Sequence, residues 1–263
     1  MTRETSAQVA FIGAGPGDPE LLTLKAARLI AAADLVLYAG SLVPREVAAH
    51  AGPGAEVADS APMTLEETHE RIMRAVRAGG RVARVHTGDP SLYGAVREQM
   101  ALLNAEGVAY EIVPGVSAAF DAAARAAVSL TVPGAAQSLV FTRVEGKTPM
   151  PEAQSLRAFA ATGASLAVYL SAAAPEKVRD ELLSGGLPPD TPVIVAHKIG
   201  WPGGSITHTD IAGIPAAMNA LGAARQVLFL VLPGELAGTA RSRLYDGEHA
   251  HCLRRGGDLP PAK

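Results

Sequence analysis

Cysteine is nearly missing from this chain: Cys252 stands alone among 263 residues. A single thiol can form neither an internal disulfide nor a multi-cysteine zinc site, which agrees with a reducing compartment. Aromatic residues are scarce too, at 4%. Positive charge is not in excess, since 23 Lys and Arg against 26 Asp and Glu leave a net charge of −3. There is no basic field of the kind that holds nucleic acid or an anionic membrane surface. Long apolar runs are absent as well. Mean hydropathy is +0.18, yet runs such as Val227 to Leu232 fall far short of the ~20 residues of a spanning helix. The opening MTRETSAQVAFIG lacks the longer apolar stretch and the small-residue cleavage site of a secretory signal. These absences lead us to expect a soluble cytoplasmic protein without nucleic-acid or membrane partners, and they name no function.

What is present is an alternation of short apolar runs, bounded by Gly, Pro or Asp, with segments of helical period. That pattern predicts an α/β fold. In the first half, strands are expected at Val9 to Gly13, Leu35 to Tyr38, Arg81 to His86 and Ala109 to Val113, forming one open, mostly parallel sheet. Helices are expected at Leu21 to Ala33, Leu65 to Ala78 and Tyr93 to Glu106. Thr64 and Glu67 form a capping-box pattern at the start of the second of these. After Pro114 a small-residue helix, Ser117 to Ala126, leads to strands at Ser138 to Thr142, Ser165 to Leu170, Pro192 to His197, Ser205 to Thr209 and Gln226 to Leu232. Helices at Ser155 to Ala161, Pro175 to Ser184 and Pro215 to Ala220 separate most of these strands. Two of the strands lie close enough in sequence for an antiparallel pair, so the second sheet is expected to be mixed. The expected division is an N-terminal α/β domain at 1–115, a C-terminal α/β domain at 116–235 and a mobile polar tail at 236–263. The first part carries 10 basic against 14 acidic residues and the remainder 13 against 12, which makes the second half the better anion holder.

Three loops punctuated by Gly and Pro each leave a strand and enter a helix: Gly13-Ala-Gly-Pro-Gly-Asp-Pro19, His86-Thr-Gly-Asp-Pro-Ser-Leu-Tyr-Gly94 and Val113-Pro-Gly-Val-Ser-Ala118. Open α/β sheets place ligands at such carboxyl ends. The first loop does not complete G-x-G-x-x-G, because Asp18 occupies the third glycine position and sets a carboxylate where a pyrophosphate would approach. A nicotinamide-dependent oxidoreductase therefore rests on that loop's first two glycines alone. Asp89 can accept from a ligand or cap the following helix. Gly146-Lys-Thr148 lacks the earlier glycine of a P-loop, since that position is Phe141. His249, His251 and Cys252 lack a fourth zinc partner, so no metal site is expected. His86 closes a strand and reads as a core or loop histidine.

Taken in order and spacing, GAGPGDPELLTLKAARLIAAADLVLYAGSLV, HTGDPSLYGA and VPGVSAAFDAAA resemble the tetrapyrrole (corrin and porphyrin) methylase family, over about Val9 to Glu235. Within it, YAGSLV, HTGDPSLYGA and His197-Lys-Ile-Gly-Trp-Pro202 are most similar to the branch that methylates precorrin-4 at C11 in cobalamin biosynthesis. The middle loop differs from the FGRGGEE continuation of the uroporphyrinogen III branch. The resemblance implies two α/β domains with S-adenosylmethionine in the cleft between them, and a homodimer. Its implied donor contacts are Pro16, Thr87, Gly88, Asp89, Leu92, Tyr93, Ser117 and Ala118, with Leu170 and Ala196 at the ends of second-domain strands. A polycarboxylate tetrapyrrole substrate calls for basic side chains, for which Arg45, Arg84, Arg97, Arg143, Lys147 and Lys198 are the candidates. Methyl transfer from a sulfonium is an in-line displacement that alignment can promote, and the sequence identifies no general base.

Overall fold

The structure is a computed structural model that describes residues 7–237. The expected tail, with His249, His251 and Cys252, lies outside these residues except for its first two positions. The described residues divide into two compact units, one within Met1–Ala124 and His197–Ser205, the other within Arg125–Ala196 and Ile206–Lys263. The expected division after residue 115 stops short of this by about the length of the helix Ala118–Arg125, which stays almost wholly with the first unit.

In the first unit, strands β1 (Val9–Gly13), β2 (Leu35–Tyr38), β3 (Glu56–Asp59), β4 (Val82–His86) and β5 (Tyr110–Val113) form a sheet in the order β3-β2-β4-β1-β5. Every registered pair in it is parallel. Alternation along β1 sorts its side chains by face. Ala10 and Ile12 join Ala26 and Ile30 of α1 (Leu24–Ala31) and Val47 of α2 (Arg45–Ala48) in one core cluster. Val9 and Phe11 join Ile72, Met73 and Val76 of α3 (Leu65–Arg77) and Leu103 of α4 (Val96–Ala105) in the other. Both faces of the sheet are thus covered, as a parallel sheet requires. The capping box at α3 is present in both directions, with Glu67 N–H to Thr64 Oγ1 at 3.2 Å and Thr64 N–H to Glu67 Oε2 at 2.8 Å.

Two expected helices begin later than their periodicity suggests. The segment from Leu21 is a 3₁₀ turn at Pro19–Leu21 followed by α1, because Thr23 is extended and its hydroxyl caps Ala26 N–H at 3.1 Å. The helix expected from Tyr93 starts at Val96, since Tyr93 and Ala95 hold φ of 55° and 47°, a left-handed conformation no α-helix admits. The sequence reading also omits α2, a single turn, and β3, an edge strand with mostly exposed side chains and no buried face to mark it.

The second unit is built on β6 (Leu139–Arg143), β7 (Ser165–Tyr169), β8 (Pro192–His197), β9 (Ser205–Asp210) and β10 (Val227–Val231), in the order β6-β7-β10-β8-β9. β6 and β7 run parallel while β10 is antiparallel to β7, so the sheet is mixed as expected. Leu166, Val168, Val193, Val195, Phe229 and Val231 share one core with Leu156 of α6 (Leu156–Ala160), Val178 and Leu182 of α7 (Pro175–Ser184), and Ile214 and Met218 of α8 (Ile214–Leu221). Among the described residues no helix is long and apolar enough to cross a membrane.

Candidate active site

The order of the first sheet sets β4, β1 and β5 side by side, so the loops leaving their carboxyl ends are neighbours. Glycine lets them touch. Gly15 and Gly88, at φ of 72° and 59°, exchange two backbone hydrogen bonds, Gly88 N–H to Gly15 O at 2.7 Å and Gly15 N–H to Gly88 O at 3.2 Å. A Cβ on Gly13 would lie 2.5 Å from Gly115 N and 2.6 Å from Gly88 O, and one on Gly115 would strike the same Gly88 carbonyl. All three loops meet backbone to backbone, a contact that side chains at these positions would prevent.

Asp89 clamps this junction. Its Oδ1 accepts the Ser91 N–H at 2.8 Å and the Ser91 hydroxyl, while Oδ2 accepts Gly115 N–H at 2.9 Å across loops. Burial pushes its carboxyl upward, but the hydrogen bonds from Ser91 and Gly115 outweigh this and hold it below the usual carboxylate range. The structure thus gives Asp89 a loop-tying role, and the helix it was expected to cap begins seven residues further on, at Val96. Thr87 and Gly88 are partly exposed beside it, Leu92 follows, and Tyr93 is 46% exposed on its left-handed backbone. Pro16 is buried in the first loop. Ser117, 6% exposed, opens α5 (Ala118–Arg125), its hydroxyl accepting Ala119 N–H at 3.4 Å. These eight residues share the first unit. Leu170 and Ala196 lie in the second. Leu170, at φ 53°, is 69% exposed at the end of β7, whereas Ala196 is buried within β8 and has only its backbone to offer.

The basic candidates separate sharply. Arg84 is 8% exposed, and its guanidinium donates to Gln99 Oε1 at 3.0 Å, Ser60 Oγ at 2.9 Å and Leu37 O at 3.2 Å. Burial lowers its pKa to about 10, with nearby Asp59 opposing the shift. The structure thus places Arg84, one of the expected substrate partners, inside the core with its donors shared among these three acceptors. Arg143 is half-buried and donates to the carbonyls of Val144, Thr148 and Pro149 at 3.2, 3.0 and 3.1 Å, and so folds its own loop. Arg45, Arg97, Lys147 and Lys198 are exposed. His86 is 5% exposed with its ring tilted against Phe11, and burial, reinforced by Arg84, lowers its pKa to about 3. It is neutral near pH 7.

One tie beside these loops has no mark in the sequence, and the segment around His197–Pro202, which the sequence offers as a motif of the resemblance, takes a definite backbone form. Asp59 Oδ1 accepts Gly40 N–H at 2.8 Å and so ties the loop after β2 to the end of β3; no local pattern marks it. The segment Lys198–Gly204 forms two consecutive type II turns, closed by Trp201 N–H to Lys198 O at 2.9 Å and Gly204 N–H to Trp201 O at 3.0 Å. Gly200 and Gly203 take the positive φ, 80° and 74°, at the third position of each turn. Glycine there, with Pro202 at the second position of the later turn, is a legible signature. Among the described residues no group of three or more His, Cys, Asp or Glu is placed to hold a metal ion.

Comparison with known proteins agrees with this architecture. The family model for tetrapyrrole (corrin/porphyrin) methylases matches residues 8–215. The chain is 44% identical over 256 residues to a cobalt-precorrin-4 C(11)-methyltransferase of Priestia megaterium, covering 94% of this chain and 97% of that protein. It is 43% identical over 251 residues to a precorrin-4 C(11)-methyltransferase of Pseudomonas aeruginosa, covering 94% and 99%. Among solved structures, a cobalt precorrin-4 methyltransferase superposes with a TM-score of 0.83 at 44% identity, over 86% of this chain and 95% of that one. A uroporphyrin-III C-methyltransferase of Thermus thermophilus, solved with S-adenosylhomocysteine, superposes with a TM-score of 0.71 at 30% identity, over 88% and 100%. With the three-loop junction in place and a match across most of its length, the chain belongs to the tetrapyrrole (corrin/porphyrin) methylase family.

Proposed function

We propose that this chain transfers a methyl group from S-adenosylmethionine to C11 of precorrin-4, giving precorrin-5 in cobalamin biosynthesis, as a cytoplasmic homodimer. The observation that carries the reading is the junction of three glycine loops at the carboxyl ends of β4, β1 and β5, in a chain 43 to 44% identical to precorrin-4 C11-methyltransferases over nearly all of both lengths.

The residues at the junction fit the donor. Exposed Tyr93 and partly exposed Leu92 offer apolar surface for a purine, and Thr87 offers a hydroxyl beside them. S-adenosylmethionine, when bound, supplies an electrophilic methyl group whose bond to sulfur breaks as the bond to C11 forms. The chain's own task is alignment, which can contribute ~7 to 11 kcal/mol in favourable cases. Asp89 keeps the second and third loops in register for that purpose. Thr87, Gly88, Leu92, Tyr93, Pro16, Ser117 and Ala118 are the proposed donor contacts, as are Leu170 and the Ala196 backbone. Arg45, Arg97, Lys147 and Lys198, whose charges are exposed, are the proposed partners of the substrate carboxylates.

The test is incubation with methyl-labelled S-adenosylmethionine and precorrin-4, offered metal-free in one arm and cobalt-bound in the other, followed by locating the label. Label on C11 is expected, and the arm that turns over defines the natural substrate. Label at another carbon, or none in either arm, overturns the assignment.

A further inference from the structure

We propose that Trp201 is a positioning residue for the donor loop, latching Pro16–Asp18 in place through the double turn at Lys198–Gly204; the proposal deepens the donor reading above and rests on it. Gly17, at φ 137°, packs so closely beneath the indole that a Cβ there would lie 2.6 Å from Trp201 Cδ1 and 2.9 Å from Nε1. One residue earlier in the double turn, a Cβ on Gly200 would lie 2.9 Å from the Pro16 carbonyl carbon, from Gly17 N and from Asp18 N. Two glycines from separate segments have thus been stripped of side chains along one seam, one to admit an aromatic ring and the other a backbone.

The seam is independent of the three-loop junction. That junction fixes Gly13 and Gly15, at the root of the first loop, whereas Trp201 and Gly200 hold its tip. The segment carrying them groups with the first unit, although it connects two strands of the second sheet. Its two turns are each closed by a backbone hydrogen bond, which gives the indole a rigid base. Lys198, at the start of the double turn, adopts φ 47°, a conformation disfavoured for a residue with a side chain. Held strain of this kind is consistent with a segment whose geometry matters more than its local stability. Trp201 touches the loop that carries Pro16, so its effect on the reaction is indirect.

Because Trp201 is the sole tryptophan in the sequence, its emission reports this seam alone. S-adenosylhomocysteine titrated into the full chain is expected to shift that emission with the same midpoint as calorimetric binding. Trp201→Ala and Gly17→Ala are each expected to raise the calorimetric Kd for S-adenosylhomocysteine and the KM for the donor by about tenfold. The kcat at saturating donor should stay within about twofold. Trp201→Phe, which keeps a ring over Gly17, should restore most of the affinity. A folded Trp201→Ala chain with wild-type donor affinity overturns the proposal. Should that variant fail to fold, an unresponsive wild-type emission or a Trp201→Phe chain as weak as Gly17→Ala overturns it instead. Absence of S-adenosylhomocysteine binding to the wild-type chain would overturn the donor reading itself.

Discussion

Removing the Arg84 side chain would leave Gln99, Ser60 and the Leu37 carbonyl without their shared donor in a sealed core. Arg84→Ala should therefore cost about 2 to 3 kcal/mol of stability in urea unfolding. The exposed Lys198 predicts the opposite split: Lys198→Ala should leave the unfolding midpoint nearly unchanged and raise the KM for the tetrapyrrole. Asp89 belongs between these cases. Asp89→Ala releases Ser91 and Gly115 together, and with charged hydrogen bonds contributing roughly 1.5 to 3 kcal/mol, donor affinity should fall at least about tenfold in calorimetry. His86 makes a pH prediction whose sign follows from its depression. Between its ordinary value of 6.5 and the folded value of about 3, the unfolded chain binds a proton that the folded chain refuses. Stability therefore falls as pH drops through that window, by up to about 1.4 kcal/mol per pH unit from this group. Asp89, also depressed, adds to the loss in acid. Denaturant titrations of His86→Phe across the window should show a shallower slope than wild type.

At the scale of elements, the entry to α4 carries a cost that can be relieved. Ala95 precedes the helix at φ 47° and is exposed, so Ala95→Gly should stabilise the first unit by about 0.5 to 1 kcal/mol, read as a higher melting temperature. The same residue explains why part of this fold was hidden from sequence inspection. Periodicity tracks which side chains face a core, and it continues smoothly through Tyr93 and Ala95 although their backbone has left the helical region. Strands with two buried faces, such as β1 and β4, announce themselves as apolar runs. β3 has no buried face and gives no such signal. In the site, glycine and proline spacing marked the loops correctly as loops, because those residues report backbone conformation directly. Charge reports nothing about direction: Arg84 and Lys198 look alike as letters, and only the face of β4 on which Arg84 falls decides that it is consumed within the core. The turn signature at Lys198–Gly204 was readable, but what it packs against was not, since the partner loop lies some 180 residues earlier in the chain.

At the scale of the whole molecule, the proposed homodimer predicts a sedimentation mass about twice the 27.0 kDa of the chain, and a monomer at assay concentration would remove that part of the reading. A further consequence concerns the gene rather than the enzyme. Gly13, Gly88 and Gly115 meet with no room for a Cβ on Gly13 or Gly115. Glycine codons differ from one another only at the third base, and every missense change by one nucleotide adds at least that carbon. At Gly13 and Gly115, then, the genetic code offers no gentle first step: a saturation library should tolerate synonymous changes and little else, so that the crossing point of the three loops can be located by deep sequencing of survivors alone.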